Sequence, residues 1–301
     1  MRFVIAGAGG VGGTLGARMV EAGHQVAWLA RGANLAALRE GLRLESPNGD
    51  LQLGRQEADD DPRKLGRADA LIVSVKTYSL AALAPRLAPL AGPDTAVLPL
   101  QNGIEARDVL ATALPAARVL NGMVSVKAYL DRPGVVVCRS GFCRMRFAGA
   151  GAAPLAEALN QGKGLEAVIS PDIDADVWRK FVMLASFSAV ACLTRGTIGQ
   201  VLGDPAAQAL LLEAVGEALA VARARGVKLE GSPAQIVDPQ VRDLPREGKP
   251  SMLEDLLAGR PLEIDSLSGT VARLGAQCGV PTPFHALATR VLAMHKGGSP
   301  K

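Results

Sequence analysis

The chain opens on a short apolar run in "RFVIAG" that breaks into glycines. Apolar positions then recur with helical spacing through "GAGGVGGTLGARMVEAG", and a second apolar run, "QVAWLA", follows Gly23. Strand, glycine turn, helix ending at Gly23 and strand is the expected order. The alternation continues. "ALIVSV" (70–75) is continuous and β-branched, as a parallel strand buried on both faces requires, and a helix is predicted from about Ser79 to Leu90 before the strand "TAVLPL" (95–100). From Arg118 to Ala148 the pattern turns β-rich. "PGVVVCRS" and "FCRMRFAG" are expected as antiparallel edge strands completing the same sheet, and "EAVIS" (166–170) as a further strand.

Beyond Pro171 the periodicity is helical almost to the end, so the predicted architecture is an α/β domain over 1–171 and an all-α domain over 172–301. In "DVWRKFVMLASFSAVACL" only Ser186 and Ser188 are polar between Phe181 and Leu193. A helix apolar nearly all round is buried. Lys180 stands at its expected start, with Asp174 or Asp176 as the cap. Positions 180, 184 and 188 share one face. A second helix is expected from "RPLEIDSLSGTVARLGAQCG", with Ile264, Leu267, Val271 and Leu274 as its buried stripe. Glu263, Ser266 and Thr270 would share another face, which makes Glu263 a candidate carboxylate partner for Lys180. Pro245, Gly248 and Pro250 suggest a mobile loop, and Ser251 is expected to cap the helix "MLEDLLAG".

Composition narrows the function classes. At 301 residues, 49% hydrophobic and 21% charged, with net charge +4, the chain has the profile of a globular protein mildly suited to anionic ligands. Aromatic content is only 3% and no Lys/Arg run occurs, which argues against nucleic acid. Cys138, Cys143, Cys192 and Cys278 form no C-x-x-C pair and are expected as reduced thiols in a cytoplasmic protein. No segment is expected to approach the roughly 20 apolar residues of a membrane helix. The first residues lack a signal-peptide pattern, and the tail "KGGSPK" is expected to be disordered. With only His24, His285 and His295, and no Cys/His cluster, no metal is expected.

The glycines carry the first chemical signal. Gly7, Gly9 and Gly12 fit G-x-G-x-x-G between strand and helix, within about 30 residues of strand–helix–strand, the dinucleotide-binding unit of a Rossmann-type domain. Gly7, Ala8, Gly9, Gly10, Val11 and Gly12 are therefore the expected cofactor contacts, with pyrophosphate at the helix N-terminus. At the end of the second strand, where an acid would hold an NAD ribose, stands Arg31 in "WLARG", and no acid precedes Glu40. A guanidinium suits a 2′-phosphate, so NADP(H) is the expected cofactor. Asn102, after the strand ending at Leu100, is a candidate nicotinamide or ribose contact. Lys76 fits an exposed loop lysine and a cofactor or substrate contact equally. No nucleophile elbow G-x-S-x-G is present. Reduction of a carbonyl needs a group to protonate or polarise the oxygen, and with no histidine suitably placed, lysine is the remaining candidate.

Together, "IAGAGGVGG", "VSVKTY", "LQNGIE", "VWRKF", "KPSMLEDLLAGRPLEID" and "GVPTP", in this order, resemble the ketopantoate reductases over nearly the whole chain. The resemblance implies NADPH-dependent reduction of 2-dehydropantoate to pantoate, in pantothenate and coenzyme A biosynthesis. It implies Lys180 as general acid, Glu263 orienting substrate and lysine, Ser251 binding substrate, and Asn102 and Lys76 lining the nicotinamide end. It also implies an active site in the cleft between an N-terminal Rossmann domain and a helical C-terminal domain. Departures are visible. Leu184 and Ser188 stand where the family usually has asparagines, "LSG" (267–269) replaces "LNG", and His285 occupies a position where asparagine is frequent. Ser188 is kept as a substrate-side candidate. A paralogue reducing another 2-keto acid is the alternative reading, and a non-catalytic NADP-binding sensor a further one. Apolar faces such as "ALLLEAVGEALAVA" (209–222) in the helical domain suit a homodimer.

Overall fold

Alternation at two-residue spacing builds the N-terminal sheet. In β1 (Arg2–Ala6) residues Phe3 to Ala6 are all fully buried. Phe3 and Ile5 face one side and Val4 and Ala6 the other, each in a different hydrophobic cluster. The computed structural model describes residues 1–241 and 245–298. By its internal contacts the chain forms two compact units. One comprises Met1–Gln101 and Glu105–Ile173; the other comprises Asn102–Ile104 and the chain from Asp174 onward.

In the first unit β1 is followed by α1 (Gly10–Glu21), β2 (Gln25–Leu29), α2 (Gly32–Glu40), β3 (Leu42–Glu45), β4 (Leu51–Leu53) and β5 (Glu57–Asp59). Next come β6 (Ala70–Val73), α3 (Thr77–Leu83), β7 (Ala96–Pro99), α4 (Ala106–Ala113) and β8 (Arg118–Val119). The unit closes with β9 (Asn121–Ser125), β10 (Ala128–Arg132), β11 (Val135–Cys138), β12 (Cys143–Ala148), α5 (Ala152–Leu159) and β13 (Leu165–Ile169). Six strands form a parallel sheet in the order β5-β2-β1-β6-β7-β8, with Phe3 opposite Val26 on one side and Ala70 on the other. This is the doubly wound order, whose carboxyl edge is where ligands bind. Helix α1 lies tightly packed on both sides. A Cβ on Gly16 would fall 2.2 Å from the Trp28 ring, one on Gly13 2.5 Å from Val136, and one on Gly10 2.3 Å from the Ala128 carbonyl.

The β-rich stretch corrects one expectation. β11 and β12 do not extend the six-stranded sheet. β11 pairs antiparallel with β10 and parallel with β3 in a four-stranded sheet, and β12 pairs antiparallel with β9 and parallel with β13 in a three-stranded one. Their inward residues Val136, Met145 and Phe147 join the cluster that covers one face of β1. They therefore act as covering layers against that cluster, and burial of those side chains compensates for not pairing with the main sheet.

The second unit is helical: α6 (Ile173–Thr194), α7 (Ile198–Gly203), α8 (Pro205–Ala224), α9 (Pro233–Val241), α10 (Ser251–Leu257), α11 (Ser268–Cys278) and α12 (Pro283–Leu292). Helix α6 runs through its core, with Phe181, Val182, Ala185, Ala189 and Val190 buried. It starts at Ile173, so Asp174 and Asp176 lie inside its first turn rather than at the cap, where their charges still complement the helix dipole. Lys180 is consequently about two turns into the helix, not at its start. Contrary to expectation, α6 and α8 are both long and apolar enough to cross a membrane by length and composition. For α6, 72% of the apolar window is buried inside the protein, as a core helix requires.

Three loop expectations also change. Ser251 is the first residue of α10 and Pro250 the cap, with no side-chain cap hydrogen bond. Proline pre-sets the entry and leaves the serine outside the capping position. The helix expected from Arg260 is broken. Ile264–Ser266 form a 3-10 turn, Leu267 turns the chain (φ −106, ψ −97), and α11 follows. The segment with Pro245 and Gly248, expected to be mobile, is tied to α7: Ile198 N donates to Gly248 O at 2.9 Å and Gly199 N to Arg246 O at 2.8 Å. The tail expected to be disordered spans Lys296–Lys301. Lys296 pairs with Asp265 and its carbonyl accepts from Leu262 N, whereas residues 299–301 lie outside the described chain.

Candidate active site

At the carboxyl edge of β1 the chain turns on Gly7, whose φ of +106 only glycine adopts without strain. Ser74 Oγ, just past β6, donates to the Gly7 carbonyl at 2.8 Å and holds the turn. Gly12 sits so close beneath that a Cβ would fall 2.0 Å from the Gly7 carbonyl and 2.4 Å from Ser74 Oγ. Around Gly9 the reverse holds, since a Cβ there would meet nothing within 4 Å. Gly9 caps α1, with no side-chain cap and no acidic residue in the first turn. The first helical N–H groups therefore have no side-chain cap and no acidic neighbour, and the positive end of the dipole lies behind them, a geometry fit for phosphate. Ala8 is buried and Val11 partly so, and Gly10 is required by the Ala128 carbonyl. Six consecutive residues thus divide into turn, packing and open cradle.

Arg31 is exposed at the cap position of α2. One turn on, Asn34 Nδ2 donates to the Ala8 carbonyl at 2.9 Å and its Oδ1 accepts from Gly134 N at 3.0 Å. Asn34 therefore fixes α2, and with it Arg31, against the glycine loop. Neither Asn34 nor Ser74 was singled out from the sequence, because each acts through main-chain partners remote in the chain. A carboxylate on the neighbouring strand, Asp59, is engaged by Arg39 at 3.0 Å and Lys64 at 3.5 Å. Lys76 is the cap residue of α3 and partly buried.

In the second unit Lys180 Nζ donates to Asn102 Oδ1 at 3.3 Å. Burial pushes the Lys180 ammonium down from 10.5 to about 8, against the opposing pull of the Glu263 carboxylate. Glu263 is 5% exposed and is the cap residue of the 3-10 turn, so it stands just before the turn and outside the helix expected to carry it. Asn102–Gly103–Ile104 pack here as well, Ile104 against the hydrophobic cluster and Gly103 beside the Ser266 carbonyl. A lysine poised between charged and neutral, held by an amide and near a buried carboxylate, can donate a proton to a carbonyl oxygen. Ser251 is exposed, and its side chain makes no hydrogen bond among the described residues. Among those residues no group of His, Cys, Asp and Glu could hold a metal, and all four cysteines are free.

Residues 3–148 match the family "Ketopantoate reductase PanE/ApbA" and residues 172–296 its partner, "Ketopantoate reductase PanE/ApbA C terminal". The chain belongs to the ketopantoate reductase family. It is 30% identical to a 2-dehydropantoate 2-reductase of Mesorhizobium japonicum, over 94% of each chain. The crystal structure of a PanE/ApbA family ketopantoate reductase from Ralstonia eutropha JMP134 shares 29% identity and a TM-score of 0.89, covering 98% of both chains. The fold alone is also shared with a D-mandelate dehydrogenase solved with NADH and anilino(oxo)acetate, at 23% identity and a TM-score of 0.90 over 98% of both chains. The α/β and helical architecture of the family is thus the architecture observed, and the chain is an oxidoreductase of this type.

Within the ketopantoate reductase frame the departures can be placed. Leu184 is partly buried and packs against the helical core. Ser188 is fully buried and its hydroxyl has no partner among the described residues, so the structure encloses it in the core. Ser268 and His285 are likewise fully buried and bond to each other.

Proposed function

We propose that the chain reduces 2-dehydropantoate to pantoate with NADPH, the step that serves pantothenate and coenzyme A biosynthesis. The observation that carries the reading is the Lys180–Asn102 hydrogen bond beside buried Glu263, with the lysine pushed to about 8. Bound in the glycine cradle, a nicotinamide dinucleotide phosphate supplies the hydride that reaches the ketone carbon. Gly7–Gly12 and the free N–H groups of α1 fit its pyrophosphate, and Arg31 its 2′-phosphate; Lys76 completes this side. Lys180 gives its proton to the ketone oxygen as negative charge develops there. Asn102 holds the ammonium in place, and Glu263 keeps it protonated and orients the acid's hydroxyl. Ser251 completes the substrate side. The protein is proposed to work in the cytoplasm, as a homodimer formed through the helical domain, with the domains divided at residues 171 and 172.

A second reading rests on Leu184 and Ser188. One offers only apolar contact and the other is shut inside the core, so two amide partners of a hydroxy-keto acid are missing. A site without them discriminates weakly against acids lacking the hydroxyl, by about 10–200-fold rather than about 10⁴-fold. The test is loss of NADPH absorbance with a panel of 2-keto acids. A kcat/KM for 2-dehydropantoate about 10⁴-fold above that for 2-keto-3-methylbutanoate supports the first reading, and a ratio of about 200 or less the second. Tight NADPH binding with no turnover on any acid leaves only a cofactor-binding sensor.

A further inference from the structure

Just past β7, next to Asn102, stands Gln101. The residue is 7% exposed and its Nε2 and Oε1 are closed to solvent, yet neither atom has a partner among the described residues. Because both ends are unmet, interchanging the amide nitrogen and oxygen does not change the conclusion. A buried amide with neither bond made is costly, and a fold without use for it does better with leucine or methionine there. The position is at the carboxyl edge of the sheet, one strand from β6 and two from the glycine turn of β1. In this strand order that edge takes the nicotinamide half of a dinucleotide.

We propose that Gln101, turning out of the enclosed position it holds here, binds the carboxamide of the nicotinamide ring through its own carboxamide. The unmet pair selects the partner. A carboxylate satisfies only the N–H₂ end and an ether only the same end, whereas a carboxamide presents a donor and an acceptor side by side and meets both. Gln101 is then a cofactor-orienting residue: fixing the carboxamide fixes the plane and face of the ring. It stands one residue from Asn102, which accepts from Lys180. The inference rests on the cofactor reading above and adds to it the group that recognises the ring.

The experiment compares NADP⁺ with its 3-acetylpyridine analogue, in which a methyl group replaces the amide nitrogen, by calorimetric titration of the whole chain and of Gln101→Leu. The wild-type chain is expected to bind NADP⁺ at least about tenfold more tightly than the analogue, as loss of one hydrogen bond implies. In Gln101→Leu the two affinities become equal, while the unliganded melting temperature rises because an unmet polar group has been removed. The same ratio in both proteins overturns the proposal, and a raised melting temperature with unchanged NADP⁺ affinity does so too. If the variant fails to fold, equal binding of the two cofactors by the wild-type chain overturns it. No binding of either cofactor by the wild-type chain overturns the cofactor reading itself, a result distinct from the others.

Discussion

His285 Nδ1 lies 3.1 Å from Ser268 Oγ, and its Nε2 lies 3.0 Å from the Ala214 carbonyl. A carbonyl only accepts, so Nε2 carries the proton and Nδ1 accepts from the Ser268 hydroxyl. Both residues occupy positions where the family resemblance leads one to expect asparagine. The two departures are one exchange: a buried amide pair replaced by a buried imidazole–hydroxyl pair. Ser268→Asn and His285→Asn should each destabilise the protein by about 1–3 kcal/mol, because each leaves a buried polar atom unmet. The double variant should cost clearly less than the two together. Urea unfolding of the four proteins measures this, and strictly additive losses would refute the exchange.

Stability should also depend on pH through the same histidine. Burial pushes His285 from 6.5 down to about 4. The unfolded chain takes up the proton near 6.5 while the folded chain resists until about 4. The contribution is therefore full above 6.5, is lost as pH falls from 6.5 to 4, and amounts to about 3 kcal/mol. Glu217, which accepts from Phe284 N at 2.8 Å and His285 N at 3.1 Å, has its carboxyl raised by burial and offsets part of the loss. Subtracting the profile of His285→Asn from that of the wild type isolates the histidine, and a flat difference between pH 4 and 6.5 would contradict it.

Turnover should fall as pH rises through about 8, because Lys180 must be protonated to act as the acid. Lys180→Ala should lose roughly 10²–10⁴-fold in kcat with NADPH affinity little changed. Glu263 raises the lysine against the effect of burial, so Glu263→Gln should move the falling limb to lower pH. A limb that stays in place or moves upward would show that the carboxylate does not act on the lysine.

The glycines of the loop should separate in their effects. Gly12→Ala places a Cβ 2.0 Å from the Gly7 carbonyl and should lower the melting temperature by several degrees. Gly9→Ala meets nothing in the protein, so its melting temperature should hold while NADPH affinity drops. Thermal unfolding beside a binding titration decides it, and equal loss of stability in both variants would argue against an open cradle at Gly9.

Arg31→Ala should raise the KM for NADPH and leave that for NADH nearly unchanged, at a cost on the order of 1.5–3 kcal/mol for a charge-assisted phosphate contact. Steady-state kinetics with both cofactors gives the comparison. Equal effects would remove Arg31 from the 2′-phosphate.

The first strand, glycine turn and helix were legible because local signals agree there: an apolar run, glycines at fixed offsets and a helical stripe. Lys180 and Glu263 were legible as candidates, and the charge effect between them bears on that pairing, although the helix expected to carry Glu263 is broken at Leu267. The sheets beyond Arg118 were not legible. β11 pairs in parallel with β3, whose Arg43 and Glu45 carry no continuous apolar pattern, and such long-range partners leave no trace in a local window. Short β4 and β5 are not legible for the same reason. Ser74 and Asn34 serve through carbonyls of the glycine loop, and nothing in their own neighbourhood marks that task.

The three residues Asn102–Ile104 belong to the helical unit although they sit some seventy residues before the rest of it. A gene cut at Asp174 would therefore not yield a self-sufficient helical fragment. Such a piece would carry Lys180 without the amide that holds it, and a core lacking the Ile104 side chain. Splitting, fusion or permutation of this protein has to carry that short insert along, and loop exchange at 102–104 amounts to editing the helical half from within the other.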